Sequence, residues 1–303
     1  MEIRYIMKKC IPLLLALLLL IPCFSSAETV VTSFYPLWLF TLNLTEGLEG
    51  VTVKNLAAPT VGCLHDYQLQ TADMKTLNGA DVFLVNGAGM EAFLPQIEAV
   101  FPDLPIVVAS ENIPLLGESG ALVLGDGEEE GVNAHLWLDA ERALRMSENL
   151  AAGLIRVMPD REEAITNNLT RWESMLLELD EELKNGLRDL PRKDIVTFHE
   201  AFPYFAEAYG LRVVAVVNKE PGETVSPAQM GKLAEEIRAL GNPPLFVEPQ
   251  YEDLSARVLS SETGAPVYTL DPVVTGPEEN PPLDYYETVM RQNMATLREA
   301  LSQ

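Results

Sequence analysis

The chain has 303 residues, of which 45 are acidic and 21 basic, giving a formal net charge of −24 with 48% hydrophobic residues. So negative a surface repels nucleic acid and anionic membrane, which excludes nucleic-acid-binding classes, and the length allows one large domain or two modest lobes. Of three cysteines, Cys10 and Cys23 fall near the start, so Cys63 alone remains in the body of the chain and no intramolecular disulfide is expected.

Arg4, Lys8 and Lys9 precede an uncharged run over 11–24, and the small residues Ser25, Ser26 and Ala27 follow it. That three-part pattern predicts a secretory signal peptide over 1–27, cut after Ala27. The run is too short for a membrane-spanning helix, which needs roughly 20 apolar residues. Leu20-Ile21-Pro22-Cys23 resembles a lipoprotein box, so the exported chain is expected either in the periplasm or held at the outer face of the cell membrane.

Beyond this segment, β-branched runs alternate with helix-period stretches, the pattern of βα units in mainly parallel sheets. Strands are expected over 29–33, 51–56, 81–86 and 106–109, with helices over 37–46, 71–78 and 91–100. Gly87-Ala88-Gly89 follows a strand but lacks the third glycine of a dinucleotide fingerprint, and no Walker-type lysine occurs, so a nucleotide site is not expected. The acidic stretch over 125–131 reads as a solvated loop.

Ile165, Leu169, Trp172, Leu176, Leu179, Leu183 and Leu187 recur at three- and four-residue intervals, which predicts an amphipathic helix over 160–190 between Pro159 and Pro191. At 1.5 Å per residue it runs about 43 Å, longer than a small lobe is wide, so it is expected to span two lobes. A surface helix on one domain is the plainer alternative. The rhythm resumes with strands over 195–198, 212–217, 245–248 and 267–270, and helices over 201–209, 227–240, 253–263 and 284–301. The expected division is a first α/β lobe over 28–158, a connecting helix over 159–190 and a second α/β lobe over 191–303.

Only three histidines occur, His65, His135 and His199. His199 follows the strand over 195–198, Asp271 follows that over 267–270, and His65 lies in the connection after 51–56. Ligands of open α/β sheets bind outside the carboxyl ends of the strands. His135 is expected at the start of the helix that ends the first half. Each histidine alone has a bland explanation, but three imidazoles with one carboxylate suffice for a tetrahedral zinc shell. No local pair brings ligands together, so only tertiary folding could assemble them, which favours a site at a lobe interface. Among the neighbours, Cys63 reads as a small buried hydrophobe rather than a thiolate ligand. Glu200 reads as a residue that caps or orients the following helix rather than a general base. Glu248 is the substitute for Asp271, and Trp38, Trp137, Phe202, Tyr204 and Phe205 pack an apolar shell near the site.

Four motifs give these residues a common context: Gly62-Cys63-Leu64-His65-Asp66-Tyr67-Gln68, Ala134-His135-Leu136-Trp137-Leu138-Asp139, Thr197-Phe198-His199-Glu200-Ala201-Phe202-Pro203-Tyr204-Phe205, and Tyr268-Thr269-Leu270-Asp271-Pro272. Through them, nearly the whole chain after the signal peptide resembles the metal-binding components of bacterial ABC importers for zinc and manganese. The resemblance implies two α/β lobes joined by a long stiff helix, with the ligands on His65, His135, His199 and Asp271. It implies Zn²⁺ as transported ligand, the importer's membrane permease as partner, no nucleic acid, a monomeric chain and no chemical turnover. Histidine at 199 points to the zinc branch, since manganese-binding members carry a carboxylate there. Cys63 and Leu64 stand where the family more often has Asp-Pro, Ala134 replaces a common proline, and the acidic loop lacks the histidines of many zinc-binding members. The rival readings are a secreted zinc hydrolase with Glu200 as base, a manganese-binding importer component, and a storage or adhesin-like protein; a fourth protein ligand at Asp271 argues against the hydrolase by closing the shell.

Overall fold

The computed structural model describes residues 27–64, 67–117, 131–217, 226–250 and 254–302. Residues 1–26 of the expected signal peptide, with Cys23, and also His65 and all of the acidic loop except Gly131, lie outside these residues. The first half forms a parallel sheet from β1 (Glu28–Thr32), β2 (Val51–Asn55), β3 (Val82–Val85) and β4 (Ile106–Val108), in the order β2-β1-β3-β4. All four residues of β3 are buried, as an inner parallel strand covered on both faces requires. Its helices are α1 (Tyr35–Leu44), α2 (Thr71–Leu77), α3 (Leu94–Val100) and α4 (Ala140–Val157).

The second half repeats the plan. Strands β5 (Asp194–Thr197), β6 (Arg212–Val216), β7 (Leu245–Val247) and β8 (Val267–Thr269) pair in parallel in the order β6-β5-β7-β8. Between the lobes the chain makes a 3-10 turn at Pro159–Arg161 and then α5 (Glu162–Leu187), 26 residues and about 39 Å long. Helices α6 (Pro203–Tyr209), α7 (Pro227–Ala239), α8 (Leu254–Thr263) and α9 (Tyr285–Leu301) complete the chain. No helix among the described residues is long and apolar enough to cross a membrane.

The buried stripe of α5, from Ile165 through Trp172, Leu176, Leu179 and Leu183 to Leu187, faces helices of both halves: α1 and α4 on one side of the chain order, α6 and α9 on the other. Trp172 is its anchor. Its ring lies between Phe40 of α1 and Tyr286 of α9, 5.8 and 6.1 Å away between centroids, and its indole N–H donates to Ser147 Oγ of α4 at 2.9 Å. Around it one continuous apolar core runs from Val30 to Leu301, and a smaller one, with Val196, Ile237, Leu245 and Leu259, sits under α7 and α8. The last helix therefore packs beyond its own sheet. Asn43 Nδ2 of α1 donates to the Leu283 carbonyl at 2.9 Å, and Tyr286 stacks edge-on against Phe40 at 5.2 Å.

Candidate metal centre

Both sheets have the same strand order, so each has a crevice at the carboxyl ends of its two central strands, where the winding direction reverses. In the second sheet those strands are β5 and β7. Their parallel register sets Thr197 beside Phe246, so the residues two further along, His199 and Glu248, emerge side by side. Both are buried, and His199 Nδ1 lies 2.7 Å from Glu248 Oε1. A carboxylate oxygen accepts, so Nδ1 donates to it and Nε2 is the ring nitrogen turned away from Glu248. Gln250 Nε2 donates to the other carboxylate oxygen at 2.6 Å, which fixes Glu248 in turn.

The first sheet holds His135 by a different device. Glu91, fully buried, accepts from Ser33 Oγ at 2.7 Å and from the backbone N–H groups of Asn86 and Gly87 at 2.7 and 3.0 Å, tying together the ends of β1 and β3. Burial pushes this carboxyl upward although those three donors favour its charge. Asn86 Nδ2 then donates to the Ala134 carbonyl at 3.0 Å, anchoring the loop that carries His135. Asn133 Oδ1 accepts from the His135 backbone N–H at 3.0 Å and lies 3.2 Å from its Nδ1. Because an amide oxygen only accepts, this ring too carries its proton on Nδ1 and turns Nε2 away.

Tyr204 links this loop to α6: its hydroxyl donates to the Asn133 carbonyl at 2.8 Å and accepts from the Leu116 N–H at 2.9 Å. Tyr204 thus positions the histidine loop as well as packing beside it. Trp137 lies 5.0 Å from the His135 ring, with its indole N–H donating to the Pro272 carbonyl at 2.7 Å and its own carbonyl accepting from Tyr286 Oη at 2.6 Å. The two imidazoles, 64 positions apart in the chain, meet edge to face with 4.9 Å between centroids.

Three expectations need correction. His135 precedes a 3-10 turn, Leu136–Leu138, and α4 begins only after Asp139, whose Oδ1 accepts from Glu141 N–H as the helix cap. No side chain caps the start of α6, where Pro203 already supplies the helical φ; the Glu200 carbonyl instead accepts from Asn133 Nδ2 at 2.7 Å. Cys63 is half-buried rather than buried, packed against the edge of the apolar core, and its Sγ lies 3.4 Å from His135 Nε2. Among the described residues, Cys63, His135 and His199 are the group whose possible ligand atoms all fall within 4.8 Å of one another. Asp271 is not in that group, and His65 lies outside the described residues. The roles of Glu248 and Asn133 as holders of the two rings depend on sheet order and loop closure; the one signal in the sequence was the position of Glu248 at a strand end.

Asp271 follows β8. Its backbone is clamped by Asn293 of α9 through two hydrogen bonds, and its Oδ1 accepts from the Val273 N–H at 2.7 Å. Burial raises its pKa from 3.8 to about 6, the Val273 N–H opposing and the Glu248 charge assisting. The folded chain therefore holds this proton more tightly than the unfolded chain. The group's contribution to stability is complete below pH 3.8 and is lost as pH rises through about 6, a difference on the order of 3 kcal/mol. In the metal-stripped chain, Asp271→Asn is expected to flatten the decline in melting temperature between pH 4 and pH 7. Parent and variant declining in parallel would count against a proton on Asp271.

A family model described as zinc-uptake complex component A, periplasmic, matches residues 30–300. The zinc-binding protein AdcA of Streptococcus pyogenes is 27% identical over 287 residues, covering 89% of this chain and 55% of AdcA. The high-affinity zinc uptake system protein ZnuA of Bacillus subtilis is 28% identical over 286 residues, covering 90% of this chain and 87% of ZnuA. Among solved structures, Zn(II)-bound AdcA of Streptococcus pneumoniae superposes with a TM-score of 0.77 at 25% identity, covering 92% of this chain and 58% of that one. The chain spans about half the length of the AdcA proteins it matches.

Proposed function

The chain belongs to the periplasmic zinc-uptake component A family, and from that premise we propose that it is an exported solute-binding protein that captures one Zn²⁺ between its lobes and passes it to the permease of an ABC importer. The observation that carries this reading is the meeting of His135 and His199. Each ring comes from the crevice of a different sheet, each is held through Nδ1 by a polar partner, and the two stand 4.9 Å apart. Two neutral imidazoles fixed in this tautomer are the donors that zinc prefers.

In this proposal His65 and Asp271 complete the set, His65 on the strength of its motif and Asp271 on its place at the end of β8, close enough to Glu248 to feel its charge. A shell filled by protein leaves no position for a substrate, so the reading has no chemical turnover. It takes the chain as a monomer, with lobes over 28–158 and 191–303 and the connecting helix over 159–190.

The test is metal stoichiometry. The exported chain, stripped with chelator and reloaded, is expected to hold one zinc ion by elemental analysis. Saturating zinc at about 1,000 times the dissociation constant should stabilise it by about 4 kcal/mol. Binding should weaken at least tenfold, on the order of magnitude set by proton competition at several ligands, between pH 7.5 and pH 5.5. No tightly held zinc, or two such ions, would overturn the single-site reading, and zinc-dependent hydrolysis of ester or peptide substrates would overturn the absence of turnover.

A further inference from the structure

We infer that Cys63 is itself a zinc ligand, its thiolate joining His135 and His199 on the ion and taking the position that the motif reading gives to Asp271, which lies outside their group. The inference deepens the metal-capture reading and rests on it. Three observations meet at this sulfur. Its distance to His135 Nε2 is 3.4 Å. In a tetrahedral zinc shell with Zn–S about 2.3 Å and Zn–N about 2.0–2.1 Å, sulfur and nitrogen stand about 3.5–3.6 Å apart, so the pair is already spaced as one edge of such a shell.

The second observation is the closeness of all three side chains: the possible ligand atoms of Cys63, His135 and His199 lie within 4.8 Å of one another, although the residues are separated by 72 and 64 positions in the chain. The third is direction. Asn133 and Glu248 occupy the Nδ1 side of their rings, so both imidazoles offer Nε2. Cys63 is half-buried whereas both histidines are buried, so it is the most accessible of the three residues.

On binding, the thiol proton leaves to solvent as the Zn–S bond forms, and the shell gains a negative charge and a soft donor. Thiolate favours zinc over manganese more strongly than a carboxylate does. The departure from the family's usual Asp-Pro at 63–64 then becomes a change of ligand chemistry. The plain competitor is an S–H group donating to His135 Nε2, which explains the distance without any metal bond.

Cobalt(II) separates the two. The exported, chelator-stripped chain titrated with cobalt is expected to show visible d–d bands of a tetrahedral site together with a near-ultraviolet sulfur-to-cobalt charge-transfer band. In Cys63→Ser the charge-transfer band should vanish, the d–d bands should remain, and zinc affinity should fall at least tenfold. In the parent, zinc should also protect Cys63 from iodoacetamide, a readout that needs no variant. Tetrahedral cobalt without the sulfur band, or alkylation unaffected by zinc, would overturn the ligand role and leave the histidine site standing. A chain that binds neither metal would overturn both.

Discussion

Exchanging His199 for glutamate is expected to weaken zinc binding by more than about 100-fold while weakening manganese far less, so that the zinc-to-manganese affinity ratio narrows. Changes to groups that merely orient a ligand already cost roughly 10- to 100-fold, and this substitution removes a proposed ligand together with the hydrogen bond that orients it. The imidazole suits zinc, whereas a carboxylate oxygen suits manganese. The structure adds a second consequence. Glu248 Oε1 lies 2.7 Å from His199 Nδ1, so the variant places two buried carboxylates side by side. Such a pair cannot ionise fully together, and the metal-free variant should lose roughly 1–3 kcal/mol of stability near neutral pH. Competition titrations of both metals in one buffer decide the first point, and an unchanged ratio would falsify His199 as the selectivity ligand. Glu248→Gln is the companion, since its amide oxygen still accepts from Nδ1. It should lower zinc affinity only by the 10- to 100-fold typical of an orienting group, without narrowing the ratio.

The second large effect concerns stability. Trp172→Ala should cost about 3–5 kcal/mol, the usual range for emptying a buried tryptophan site. The side chain is fully buried, contacts rings from α1 and α9, and satisfies Ser147 of α4, so its loss opens a cavity where those three helices meet α5 and takes Ser147 Oγ's indole donor. A melting temperature lowered by on the order of 10 °C is expected for a chain of this size. A shift of less than about 2 °C would mean that α5 is not anchored through this residue. Because the apolar core is continuous across both halves, fluorescence and circular dichroism should report one coincident transition in the parent.

Much of the architecture was legible because parallel strands and amphipathic helices write their periods into the chain. The runs at 82–85 and 245–247 are apolar without alternation, and the α5 stripe repeats every three or four residues, so both kinds of element were found within a few positions. The errors are local. A helix expected from 91 begins at Leu94 because the Glu91 carboxylate is engaged by Ser33, Asn86 and Gly87 in closing the end of the first sheet. The connecting helix expected from 160 starts instead with a 3-10 turn over Pro159–Arg161, and the α-helix follows from Glu162.

The site was legible only as a set of donors. His199 could be placed at a strand end from the sequence, but its pairing with Glu248 requires knowing that β7, not β6, lies on that side of β5. The approach of Cys63 to His135, across 72 positions, is a product of tertiary closure that no local pattern encodes. Composition argued for Cys63 as a packing residue, and only its neighbours give it another meaning.

The docking of α9 bears on how the chain comes to be folded at all. Tyr286 completes the apolar cluster beneath α1, and the Leu283 carbonyl satisfies Asn43, so a helix near the end of the chain supplies parts that an element near its start needs. During synthesis the early sheet can collapse as it emerges, but its core stays unfinished until residues 283–301 arrive. Contacts spanning some 240 residues make such an assembly slow and leave apolar surface uncovered for longer. A segment destined for translocation gains from that delay, because a half-built first lobe stays threadable until the last helix closes it.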